Sequence, residues 1–597
     1  MRHQLSALMW RAALAAVLVC GIGLLPWLTR TDPALTVLKA RSADRDPTPA
    51  VLADIRAQLG LDKGPFALLG EWLGGLGRGD AGRSWLSGDE VTPAVLQALG
   101  ASLLLMAAAL AVAAVTAALI CARTLWLGAH RRLDGRRPGG SGSAVLAALP
   151  EFLTASVLAT VIGVQLGWLP ALGWYGPQWT ILPGLALGLP AGAVLGRLLD
   201  DLLPGAFAEP WELAAAARGL PGHSIARQAV RRCLPALLPN TGLFVVGLTG
   251  GSVAVEQIFD IPGLGRTTLQ AALAQDLPVL QAGTLALLAL AAAASALAAL
   301  TTRHLAGPAL RDGSLSSPHR RQPPAHSIQP FLHGGLLLAV IAGGLPRDPL
   351  ALDTTRRLQK PSWDHPFGTD ALGRDLLARV AHGALDTLLL ALAISAAALA
   401  TGVLLGLVPR LSGPLADTVN AVPPVLGALL VTAVTGTGAA TPALAVGVVA
   451  WAPLAAHTSA LLRQERAALH ITATRGLGAG RGYLLRHELL PAVLPSVTRH
   501  ALLRLPGTAL ALASLAFLGL GAQPPSPEWG LLLAENQPYA ERAPWAVLAP
   551  AAALALLGAL AVSAAGGVRR PRRRALTRTA AMRIEQALPE RELVKAG

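Results

Sequence analysis

Residues 101–122, ASLLLMAAALAVAAVTAALICA, run 22 positions without a charge, and residues 279–302 run 24. A helix of about 20 apolar residues spans the hydrocarbon of a bilayer, whereas a soluble helix of that length keeps one face polar. Similar blocks fall near 8–28, 98–122, 144–167, 180–199, 236–256 and 279–302. A second set falls near 329–346, 385–408, 421–436, 440–462, 495–519 and 544–566. The fold class is therefore an all-α polytopic membrane protein of about 12 transmembrane helices. Composition agrees, with 14% charged residues where an average soluble domain has about 25%.

The formal charge of +15 does not point to nucleic acid, because the cations sit beside the apolar blocks. RRLDGRR (131–137) and RRPRRRALTR (569–578) follow blocks directly, as basic clusters do at cytoplasmic span ends. With a cytoplasmic N-terminus, the loops 123–143, 200–235, 303–328, 409–420 and 463–494 and the C-terminal tail become cytoplasmic. Six spans return each half to its starting side, so the halves form parallel six-helix repeats. Expected domains are 1–302, a Pro- and Arg-rich linker at 303–328, a second domain at 329–568 and a basic tail at 569–597. Cys20, Cys121 and Cys233 are too scattered for a disulfide framework or a zinc site. The segment after the first block, PWLTRTDP, lacks a small-x-small cleavage pattern and reads as the end of an uncleaved span.

One phrase occurs twice. WELAAAARGLPGHSIARQAVRRCLPALLP (211–239) and LHITATRGLGAGRGYLLRHELLPAVLP (469–495) each join the fourth and fifth spans of their half. Both run as a small-residue helix, a glycine, a basic amphipathic segment and a proline at membrane re-entry. Small residues permit close backbone approach, glycine permits a sharp turn, and proline fits the first helical turn. A single copy would read as an ordinary basic loop; two copies at matching places suggest a docking element.

These segments resemble the EAA loops of ABC importer permeases. The resemblance implies coupling helices that grip separate ATPases, carried here by Glu212, Ala215, Arg218, Gly219, Leu234 and Pro235. In the second copy the matching residues are Ala473, Arg475, Gly478, Leu490 and Pro491, with Thr472 where an acid is usual. HPFGTDALGRDLLARVAHGA (365–384) and ASLAFLGLGAQPPSPEWG (513–530) resemble the second permease subunit of dipeptide, oligopeptide and nickel importers. LADIRAQLGLDKGPFALLGEWLGGLGRGDAGRS (52–84) and VAVEQIFDIPGLG (253–265) resemble its partner subunit. The chain is thus identified as a fusion of two permease subunits in an inner (plasma) membrane, with both termini cytoplasmic. The implied partners are two ATPase subunits, an extracytoplasmic solute-binding protein and membrane lipid. The implied cargo is a small peptide or a related solute such as a nickel chelate.

The external lips hold Asp370, Gly373, Arg374, Asp375, Pro524, Pro525 and Trp529. Two readings stand for them: turn-forming punctuation, or contact with the binding protein. Within spans, Arg504 reads either as a translocation-path residue favouring a carboxylate-bearing solute or as a snorkelling side chain. Glu256 reads as a path, gate or packing residue, with Leu512 as its second-half counterpart. No Walker A exists, since Ala, Gly, Pro and Ala follow the lysines at 39, 63, 360 and 595. The chain is expected to be no enzyme and to hold no cofactor or metal itself, with ATP and Mg²⁺ on the partner ATPases. The rival reading is a twelve-span secondary transporter driven by an ion gradient.

Overall fold

The computed structural model describes residues 13, 15–29, 32–41, 46–133, 141–147, 149–311, 328–408, 413, 415–416, 419, 424–436, 438 and 440–567. The expected tail and most of the expected linker lie outside them. By length and composition, seven helices are able to cross a membrane among these residues, and three shorter apolar helices accompany them. Together with Gly222–Ile258 and the helical segment ending at Leu28, they fall on all twelve apolar blocks. Helix is the natural state of such runs, because only internal pairing satisfies backbone N–H and C=O groups in hydrocarbon.

The two halves share more than an order of elements. Gly222–Ile258 and Arg481–Phe517 are each 37 residues long; 222 and 481 begin them and 258 and 517 end them, so both ends sit 259 residues apart. The preceding short helices, Pro210–Ala217 and Leu469–Gly476, keep the same offset. So do Gly219 (φ +73°) and Gly478 (φ +94°), the left-handed residues that end those helices.

Within each half the second span packs on the fourth at close range, and glycine makes this possible. Gly184, Gly188, Gly192 and Gly196 form a stripe on Ile181–Phe207. A Cβ on Gly188 would lie 2.6 Å from Ala109 O, and one on Gly192 2.5 Å from Ala113 O, both on Val91–Ala129. In the second half the glycines sit on the other helix. Gly402 and Gly406 of Leu376–Gly406 face Leu454 and Thr458 of Thr441–Arg466, with Cβ approaches of 2.6 Å.

The halves meet reciprocally. Glu151–Leu158, the third span of the first half, packs on Pro544–Gly567, the sixth of the second. Pro424–Thr435, the third span of the second half, packs on Leu264–Ala274 and Leu277–Arg311 of the first. Phe152 and Phe517 meet across this seam as a tilted pair with ring centroids 5.8 Å apart. Gln165 donates to the carbonyls of Ala540 (2.8 Å) and Glu541 (3.0 Å). Those loops are each one long helix away from the glycine elbows at 219 and 478, so both elbows lie at the same end of the molecule.

Candidate functional site: paired elbows, paired lids and a mid-span basic cluster

At the elbow end, Pro210 occupies the first turn of its helix and Glu212 and Ala215 are buried. Glu212 Oε1 accepts from Arg131 Nε at 2.9 Å, and Glu209 pairs with Arg232 at 2.9 Å, tying the helix to both neighbouring segments. Arg218 is exposed, as are Leu213 and Leu220. Leu234 is half-buried in the helix that follows; the Pro235 side chain lies outside the described residues.

The second elbow is fastened differently. Ile471 is its buried residue, and the shared offset sets it, rather than Thr472, at the register of Glu212. Ala473, Arg475, Gly478 and Pro491 are exposed, and Leu490 is half-buried. Leu469 and Leu477 are 87% and 89% exposed, so this elbow presents two bare leucines around its arginine. Its local ion pair is His470 with Glu465 at 3.4 Å.

At the opposite end each half carries a short helix capped by a buried glutamate. In the first half Glu256 closes over the start of Leu264–Ala274: Ser102 Oγ donates to its Oε1 at 2.7 Å and Arg266 N to its Oε2 at 2.9 Å. Gly263 leaves the room, since a Cβ there would lie 2.3 Å from the carboxyl carbon. Glu256 is fully buried in this arrangement, facing the lid rather than an open path. Its positional counterpart is Leu515, by the 259-residue offset, not Leu512.

The second half obtains the same cap from another place. Glu528 is the N-cap of Trp529–Asn536; its Oε2 accepts from Leu531 N at 2.9 Å and its Oε1 from Thr387 Oγ1 at 3.4 Å. Ser102 and Thr387 each sit eleven residues past the first residue of their half's second span. Burial pushes the Glu528 carboxyl up to about 7, with the nearby Asp386 charge adding to the shift against the opposing hydrogen bonds. Sequence reasoning missed Glu528. An acid directly before the apolar run WGLLL was the available sign.

The second lip is wired internally. Asp370 accepts from Arg374 at 2.7 Å and from Arg379 at 2.8 Å, and Arg379 also reaches Glu535 at 2.8 Å. Asp375 caps Leu376–Gly406 through Leu377 N and Ala378 N while pairing with Arg347 at 2.6 Å. Gly373 (φ +80°) passes so close to Asp353 O that a Cβ would lie 1.8 Å away. Trp529 is fully buried and donates to Val380 O at 2.8 Å. Asp370, Gly373, Arg374, Asp375 and Trp529 thus hold the lip together from inside, and Pro524 and Pro525 are exposed.

Arg504 lies near the middle of Leu490–Phe517, and its side chain is exposed on the protein's surface. One turn away, His500 stacks on His457 of the neighbouring Thr441–Arg466 helix, with ring centroids 4.6 Å apart. Sequence spacing alone did not join these two histidines, which lie on different helices.

Two like-facing six-helix units, each with a glycine elbow at one end and a capped lid at the other, define a membrane protein built on an internal repeat. The chain belongs to the family described as binding-protein-dependent transport system inner membrane component, matching it over residues 114–307 and again over 390–574. It is 34% identical over 208 residues to a putative peptide permease protein of Brucella suis biovar 1, covering 33% of this chain and 69% of that protein. It is 37% identical over 208 residues to the di/tripeptide transport system permease protein DppC of Pseudomonas aeruginosa, covering 32% and 69%. A putative peptide transport system permease protein of Brucella abortus is 31% identical over 262 residues, covering 42% and 80%. Relatives of this kind take up a third to two fifths of the chain while the family domain occurs twice. One polypeptide therefore carries two ABC transporter permease units, in a multi-pass inner-membrane setting.

Proposed function

We propose that this chain forms the whole translocation pathway of a binding-protein-dependent importer for small peptides. The observation that carries the reading is the pair of glycine elbows, equal in offset and at the same end of the molecule. Each elbow would receive one ATPase subunit, through Glu212, Ala215, Arg218 and Gly219 in one case and Ala473, Arg475 and Gly478 in the other. That end would face the cytoplasm, together with both termini, and the lids would face the binding protein, meeting it through exposed lip residues such as Pro524 and Pro525. Closure of the ATPases on ATP and Mg²⁺ would then rock the two halves between inward- and outward-open states, a rigid-body switch biased by ligand. In this scheme Arg504 faces the path, and Glu256 positions a lid.

The test is reconstitution. Purified with its neighbouring gene products, the chain is expected to hold two ATPase subunits and to support vanadate-sensitive dipeptide uptake into liposomes. Leu477→Asp is expected to release one ATPase without unfolding the chain, since Leu477 is solvent-facing. Uptake of dipeptide by the chain alone under a proton or sodium gradient would overturn the reading in favour of a secondary carrier. Uptake of a nickel chelate in place of peptide would keep the machine and change the cargo.

A further inference from the structure

Arg504 sits thirteen residues from Phe517, about 20 Å of helix from the lid end, and twenty-three residues from Arg481 at the elbow end. A guanidinium at that depth is costly in hydrocarbon and is expected to face water or a polar partner. Among the described residues no acid lies within ion-pair distance of it. The segments packed on Leu490–Phe517 are Leu376–Gly406, Pro424–Thr435, Thr441–Arg466, Leu484–Leu489, Trp529–Asn536 and Pro544–Gly567. Their acids are Asp386, Glu465, Glu488 and Glu535, and Glu488 lies sixteen residues before Arg504, at the elbow end. Glu465 is paired with His470, Glu535 with Arg374 and Arg379, and Asp386 lies at the lip end of its helix.

Two further nitrogen-bearing side chains join this charge. His500 is one helical turn from Arg504, and His457 stacks on it at 4.6 Å with rings 30° apart. His457 is nine residues before Arg466, roughly 14 Å of helix inside that end. Pro506 adds an acceptor-side feature: lacking an N–H, it leaves the Leu502 carbonyl without its usual helical partner.

We infer that His457, His500 and Arg504 form a mid-membrane site for the carboxylate of the transported solute. The inference rests on the proposed importer role and deepens it by naming the recognised group. Arg504 supplies a planar fork matched to a carboxylate, and the stacked imidazoles supply further donors on one side. The Leu502 carbonyl, freed of its i+4 donor by Pro506, suits an amide or ammonium N–H on the same solute. All three basic groups come from the second half. The first-half residue at the Arg504 register is Val245, so the pathway is chemically one-sided at this depth.

The probe is dialanine against its C-terminal amide, measured by equilibrium binding to the purified full chain in phosphatidylcholine nanodiscs. The acid is expected to bind about tenfold more tightly than the amide, the scale of one charge-assisted hydrogen-bonded contact. Arg504→Gln is expected to abolish that preference and Arg504→Lys to retain most of it. His500→Gln is expected to weaken acid binding by about threefold and leave amide binding unchanged. Equal binding of acid and amide by the natural chain, or a preference that survives Arg504→Gln, overturns the inference. So does loss of the preference on adding phosphatidylglycerol, which would assign the cluster to an anionic lipid. Should Arg504→Gln fail to yield folded protein by gel filtration, the Arg504→Lys and His500→Gln results decide. The two readings fail separately: vanadate-sensitive uptake by the complete importer tests the machine, and the acid–amide comparison tests this site.

Discussion

The first half and the second half reach one geometry with different residues. Close approach of second and fourth spans is granted by four glycines on the fourth span in one half and by two on the second span in the other. The lid helix is capped by a glutamate from the end of the fifth span in one half and by a glutamate thirteen residues nearer the next span's start in the other, since the registers are 256 and 528 against an offset of 259. At the shared buried register of the elbow helix stands an ion-paired acid in one half and an isoleucine in the other. What the architecture fixes is a distance or an unpaired N–H; which residue meets that need is free to move along the chain.

The lips give the largest contrast between the halves. The second is held by Arg379, fully buried between Asp370 and Glu535. The first is held by Ser84 and Trp85 N on Asp276. Removing one partner of a buried pair strands the other charge, so Arg379→Ala is expected to cost about 3–5 kcal/mol, against about 1 kcal/mol for Ser84→Ala. Thermal unfolding in detergent measures both, and similar losses would break the contrast.

The two caps differ next. Glu528 has a folded-state pKa of about 7 against an ordinary 4.5, so the folded protein holds a proton that the unfolded chain releases. Its contribution is fully present below about pH 4.5 and is lost as pH rises through 7, a loss of about 3 kcal/mol. Glu528→Gln is expected to flatten that part of the stability–pH curve, between about 4.5 and 7. A curve unchanged by the substitution would remove Glu528 from the lid's proton balance.

Smaller effects distinguish the glycine faces. Gly192→Leu and Gly406→Leu are each expected to cost about 1–3 kcal/mol by overpacking, although they lie on opposite partners of the same contact. Gly447, with nothing within 4 Å of a built Cβ, should accept leucine with little change. A tolerant Gly406 would mean that the second half packs loosely there.

Much of this was legible in the sequence. Apolar runs located all twelve blocks because the bilayer imposes length, and the left-handed glycines at 219 and 478 stood out because few other residues end a helix that way. The lip's internal wiring was not legible: GTDALGRD was open both to turn-forming punctuation and to binding-protein contact, and only the fold shows Asp370, Arg374 and Asp375 held inward, each carboxylate finding an arginine or a helix N-terminus. The Glu256 counterpart sought at Leu512 was missed because the compensating acid arrives from a loop, where periodicity carries no information. The His457–His500 stack joins two helices 43 positions apart in numbering, a pairing that spacing rules cannot see.

The Gln165 amide bridges the halves by binding two main-chain oxygens, at Ala540 and Glu541. Main-chain acceptors are present whatever side chain stands there. The seam at this point is therefore written on one strand of the message only: substitutions at exposed 541 can accumulate silently, while a single change at 165 unfastens both sides at once.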